Sequence, residues 1–244
     1  MKVLKDGAMT RQAANFYSLI EMATNLGTDF KPVKEPLKLD KLNTQHSNVL
    51  KAIADWSQAE TTLQRATSLR KDAFDKLNSF VTLIHREVKI AGIEGEVKDD
   101  IELKLKQIRG TKKVSKVSED APLENNAEAK TTYKNASIQR KLDVFTKLVE
   151  ILGDTPEYES SYTDLKIQGL KDKVTELNTL QQNYLSAILT LQDARAKRDT
   201  LLDDPNTGMI KIGQLLKEFF RIYYKDSKTQ LKTLSSIKMT KRKN

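Results

Sequence analysis

Every seventh residue from Leu42 to Ile84 falls on one helical seam: Leu42, Val49, Trp56, Leu63, Arg70, Leu77 and Ile84. The companion line, three residues on, reads Gln45, Ala52, Ala59, Ala66, Ala73 and Phe80. A 3.5-residue period held this long has the wrong repeat for strands and the right one for gently supercoiled helices. The alanine-rich line predicts close helix approach. An unbroken helix over residues 37–90 would extend about 80 Å at 1.5 Å per residue. Turn chemistry agrees, since nine Gly and five Pro in 244 residues are about half the usual share. That is too few for a many-stranded sandwich or a chain of βαβ units.

The seam occurs twice. Sliding the chain by 128 positions aligns Leu37–Asp75 with Leu165–Asp203 without a gap, and ten of 39 positions are identical. Thr62-Leu63-Gln64-x-Ala66-x3-Arg70 returns as Thr190-Leu191-Gln192-x-Ala194-x3-Arg198, and Trp56 aligns with Tyr184. Upstream, an offset of 129 pairs Phe16, Leu19, Ile20 and Glu21 with Phe145, Leu148, Val149 and Glu150. A glycine stop (Gly27, Gly153) and an acid–aromatic step (Asp29-Phe30, Glu157-Tyr158) follow in both. Such self-similarity is the signature of an internal duplication.

Each copy reads as a short helix (11–26; 136–152), a long helix (37–90; 163–203 with 207–224) and a terminal helix (97–109; 227–238). The second long helix stops at Asp203-Asp204-Pro205-Asn206, because proline disfavours helix in the residue before it. The expected fold is all-α: an elongated bundle of two repeated units, 1–110 and 134–244, with long coiled-coil-like helices. Residues 111–133, polar and basic, read as the linker. Pro-Glu-Tyr at 156–158 with Asp-Leu-Lys-Ile at 164–167, Asp-Phe-Lys-Pro at 29–32 and Leu-Lys-Leu at 37–39, and Ala73-Phe74-x2-Leu77-x2-Phe80-Val81-Thr82 resemble an internally duplicated all-helical family of Bacteroidota. That resemblance covers most of the chain. It implies a lineage and a fold, and it carries over no catalytic residue.

The residues offer little enzyme chemistry. With no Cys, disulfides, thiolate metal sites and cysteine nucleophiles are excluded. His46 and His85 are the two imidazoles, and neither belongs to an HExxH or Glu-x-x-His pattern. No nucleophile elbow, P-loop or dinucleotide-binding glycine motif occurs. The run Asp203–Gly208 lacks the alternating ligands and closing Glu of a calcium loop and reads as a helix-breaking turn. The expectation is a non-enzymatic protein with no catalytic, metal or cofactor residue and no small-molecule substrate. The N-terminal residues lack the apolar stretch of a secretory signal, and apolar runs are far shorter than the ~20 residues that span a bilayer. The expected location is cytoplasmic.

Three sets of residues remain as candidates. Arg70 and Arg198 stand at seam positions where Leu or Val would be expected, and Glu21 and Glu150 recur on the preceding helices. The pairs Glu21–Arg70 and Glu150–Arg198 are expected structural ion pairs. The net charge of +9 comes from two clusters, Lys104–Lys116 and Tyr224–Asn244, which together carry +12. Lys104, Lys106, Arg109, Lys112, Lys113, Lys116, Lys238, Lys241, Arg242 and Lys243 are therefore candidate contacts to nucleic acid or to an anionic membrane surface. Finally, Phe219, Phe220, Ile222, Tyr223 and Tyr224 give the helix after Pro205 more apolar surface than one stripe holds, an expected self-association face. The leading reading is a helical scaffold that forms a homo-oligomer. The alternatives are sequence-indifferent nucleic-acid binding and a membrane-acting helical protein.

Overall fold

In the computed structural model, which describes residues 4–109 and 127–240, the chain forms seven α-helices and, among the described residues, no strand. They are α1 (Leu4–Leu26), α2 (Leu39–Ile90), α3 (Gly95–Arg109), α4 (Ala127–Gly153), α5 (Ile167–Asp203), α6 (Met209–Tyr223) and α7 (Lys228–Ser236). Short 3-10 turns at Gly27–Asp29, Glu35–Leu37 and Thr163–Leu165 build the connectors into α2 and α5. The protein is an all-α bundle. Helix α4 begins inside the segment read as linker: Ala127–Tyr133 are helical. The run Ala-Glu-Ala-Lys has strong helix propensity, which the polar composition hid. Residues 110–126 lie outside the described residues.

The compact units cut across the two sequence copies. Unit 1 joins Met1–Leu63 to Ala187–Asn244, and unit 2 is Gln64–Ser186. Each unit therefore takes the short helix and first half of a long helix from one copy. It takes the second half of a long helix and the terminal helix from the other. The expected boundaries at 110 and 134 mark the sequence copies, not these units. The seam explains the difference: half a long helix buries its apolar line only against another long helix, and the short helices close the bundle around that pair.

In unit 1, α2 and α5 run antiparallel. The Gln45 amide donates to the Leu201 carbonyl (3.1 Å), and Trp56, eleven residues on, lies under Arg198. The core gathers Phe16, Leu19, Leu42, Val49, Met209, Leu216, Phe220 and Leu234. In unit 2, Leu77, Ile84, Ile101, Leu105, Ile108, Phe145, Leu148 and Leu177 do the same. Each such side chain contributes about 1.5–3 kcal/mol on burial. Past the α5–α6 turn the copies match with four extra residues. Leu77, Val81, Ile84 and Val88 correspond to Met209, Gly213, Leu216 and Phe220, and all eight are buried.

The turn at 203–208 is fastened locally. Asp204 Oδ1 accepts from the backbone N–H groups of Asn206 (2.9 Å) and Thr207 (2.7 Å) and from the Thr207 hydroxyl (2.9 Å). This is the side-chain turn that Asp favours. Gly208 packs so closely that a Cβ there would collide with the Asp204 backbone. The break is a turn, as its sequence implied.

Candidate interaction surfaces

Arg70 and Arg198 are each only 5% exposed, and each lies on an aromatic face. The Arg70 guanidinium sits 3.3 Å from the Tyr184 ring centroid, and that of Arg198 4.3 Å from the Trp56 centroid. The aromatic and the arginine occupy the same two aligned positions in both cases, one from each copy. Arg70 also donates to Gln181 Oε1 (3.2 Å), and Arg198 donates twice to Asp199 Oδ1 (2.9 and 2.7 Å). Burial lowers the Arg70 pKa from its ordinary value, and Tyr184 opposes that shift. A ring quadrupole stabilises a desolvated cation by about 2 kcal/mol or more.

The expected ion pairs are corrected by this arrangement. Glu21 belongs to unit 1 and Arg70 to unit 2, while Glu150 belongs to unit 2 and Arg198 to unit 1. Each arginine is seated instead on the aromatic residue aligned two heptads earlier in the other copy. The Glu21 carboxylate acts on the neighbouring Tyr17 hydroxyl and raises its pKa. The aromatic partners were missed although their signal was present: Trp56 and Tyr184 occupy aligned seam positions two heptads before Arg70 and Arg198.

The histidines pack into the bundles. His46 lies against the Phe16 and Tyr17 rings (6.4 and 5.2 Å between centroids), and burial lowers its pKa, opposed by the Ala13 backbone. Burial lowers that of His85 too, aided mainly by Arg109 and Lys89. Among the described residues no group of three or more His, Cys, Asp or Glu could hold a metal ion, and no helix is long and apolar enough to cross a membrane.

Of the candidate anion contacts, Lys104, Lys106, Arg109 and Lys238 fall within the described residues. Lys112, Lys113, Lys116, Lys241, Arg242 and Lys243 lie outside them. Arg109 is half-buried and donates to the Val81 carbonyl (3.4 Å). Lys106 pairs with Glu102 (3.6 Å), and Lys104 is half-buried. Lys238 is exposed, and its carbonyl accepts from Asn15 (2.8 Å).

The apolar stripe of α6 is largely taken up within unit 1. Phe220 is fully buried. Phe219 is half-buried, edge-on to Phe30 of the connector (5.2 Å), and Tyr224 stacks on Phe220 (5.9 Å). Phe219 and Phe220 therefore serve the core rather than an association face. Of the surplus expected at Ile222 and Tyr224, Ile222 is 76% exposed whereas Tyr224 is half-buried on Phe220, and Tyr223, expected within the stripe, is exposed. The corresponding connector of unit 2 is built differently. Tyr158 is buried and donates its hydroxyl to the Leu165 carbonyl (2.9 Å). Burial, and secondarily Glu87, pushes its pKa up to about 12.

These features define an all-α protein whose distinctive chemistry is two buried arginine–aromatic seats and two apolar connector faces. No family model, curated protein or solved structure matches the chain.

Proposed function

We propose that the protein is a non-enzymatic helical scaffold that self-associates through the connector faces of its units. One observation carries this reading. Among the described residues, four of the five most exposed large apolar side chains lie on the two connectors and at the ends of α2 and α6. They are Val33 (98%) and Ile222 (76%) in unit 1, with Ile90 (78%) and Tyr162 (67%) in unit 2. Ile90 and Ile222 occupy corresponding positions at the ends of their helices. Large apolar side chains left this exposed in the corresponding segments of both units are candidate contact points.

Nucleic-acid binding is the weaker reading, because Lys106 and Arg109 already have partners within unit 2. Sedimentation velocity over a concentration series, with and without duplex DNA, tests the proposal. Mass rising with concentration and unchanged by DNA is expected. A strict monomer at tens of micromolar would overturn it.

A further inference from the structure

The two connectors end in matching 3-10 turns, Glu35–Leu37 and Thr163–Leu165, and their segments are opposite in formal charge. On unit 1 the face consists of the connector 26–38 and the helix end 217–228, held together by Phe30 against Phe219 and Phe220. It carries seven basic and four acidic side chains. On unit 2 the corresponding segments are 154–166 and 85–96, where Glu87 lies close enough to Tyr158 to act on its hydroxyl. These segments contain three basic and seven acidic side chains, of which Glu87 is buried. The formal charges are thus +3 and −4. Lys31 corresponds to Glu159, so the sign reverses at a matched position. Lys31, Lys34, Glu157 and Glu159 are all exposed, and so are the apolar Val33 and Ile222 of the unit 1 segments and Tyr162 and Ile90 of the unit 2 segments.

Resting on the self-association reading, we infer that the contact is heterologous: the basic face of unit 1 in one copy docks on the acidic face of unit 2 in a second copy. The occupant is a second copy because one contact then accounts for both faces. An anionic membrane would engage the basic face and leave the exposed Ile90 and Tyr162 beside their carboxylates unexplained. Like-with-like pairing would set basic on basic or acidic on acidic, which like-charge repulsion opposes. A heterologous contact leaves one free face of each kind on every pair, so growth continues unless the geometry closes a ring.

Charge reversal of each face, singly and mixed, tests this. Full-length Lys31→Glu/Lys34→Glu and Glu157→Lys/Glu159→Lys chains are compared with the parent by sedimentation, with circular dichroism melts verifying the fold. The parent should associate, and its association should weaken from about 50 to 500 mM salt as charges are screened. Each variant alone should associate at least about tenfold more weakly, and an equimolar mixture should recover association, because each supplies the face the other lacks.

Variants that associate as the parent does would overturn the heterologous contact while leaving self-association standing. Folded variants that fail to recover on mixing would also overturn it. A monomeric parent would remove the self-association reading itself. Co-sedimentation of a monomeric parent with phosphatidylserine vesicles, lost in Lys31→Glu/Lys34→Glu, would assign the basic face to lipid instead.

Discussion

The connector into α2 and the connector into α5 solve one packing problem by different means. In unit 1, Phe30 meets Phe219 edge-on and Phe220 face-on, and the loop is held by apolar contact. In unit 2 the corresponding Tyr158 is anchored by a hydrogen bond to the Leu165 carbonyl, and buried Glu87 stands where unit 1 has Phe219. The shared frame is the buried series Leu77–Val88 and Met209–Phe220. What differs is how each loop is fastened and the charge it turns outward. Two helical units can thus share a pattern of buried positions while the segments above it differ in sign of charge.

The strongest way to break this comparison is at the core below the aromatic contact. Phe220→Ala should cost about 3–5 kcal/mol, read as early loss of Trp56 fluorescence structure on melting. Trp56 is the single tryptophan and lies in unit 1. Val88→Ala, at the matched position in unit 2, should cost clearly less, since fewer buried atoms are removed. Equal losses would mean that the aromatic contact adds nothing to unit 1.

Next in size are the arginine seats. Tyr184→Leu removes the ring from under a buried cation and should destabilise unit 2 by roughly 2 kcal/mol. Arg70→Met, which removes the cation itself, should be close to neutral. Chemical denaturation followed by circular dichroism checks both.

The helices were largely legible from the residues: the seven-residue seam placed α2, and the Asp204–Pro205 turn separated α5 from α6. The pairing of the halves was not. A heptad seam says that a helix needs a partner but not which segment supplies it, and the copies' similarity made a copy-by-copy unit the simpler expectation. From that followed the mistaken pairing of Arg70 with Glu21 and of Arg198 with Glu150. The α6 surplus was legible at Ile222, which helical geometry takes off the stripe, but not at Tyr224, which folds back onto Phe220, nor at Tyr223, which is exposed instead of joining the stripe. The ring contacts of Phe219 and Phe220 with Phe30, nearly two hundred residues away in sequence, were not legible.

Tyr158→Phe sharpens the difference between the connectors on a smaller scale. Loss of its hydrogen bond should cost about 1 kcal/mol, with no counterpart at Phe30. Its pH dependence has a definite sign. The unfolded chain releases the phenolic proton at about pH 10, whereas in the fold burial and Glu87 push the pKa up to about 12. The native state therefore binds more protons between these values, and stability should fall as pH rises through that window. Phenylalanine should abolish this component in alkaline melts.

The smallest effect belongs to His46, whose folded pKa burial lowers below its ordinary value of 6.5. The unfolded chain protonates first as pH falls, so unit 1 should lose a little stability below about pH 6.5. His46→Gln should flatten that slope in Trp56-monitored melts between about pH 5 and 7.5.

The exchange of halves is the central claim, and double-mutant cycles on stability test it most directly. Trp56→Leu with Arg198→Met, and Tyr184→Leu with Arg70→Met, should each show a coupling of about 1–2 kcal/mol. Glu150→Gln with Arg198→Met, and Glu21→Gln with Arg70→Met, should show essentially none. Coupling of each arginine to its own copy's glutamate, with none to the aromatic of the other copy, would contradict the account.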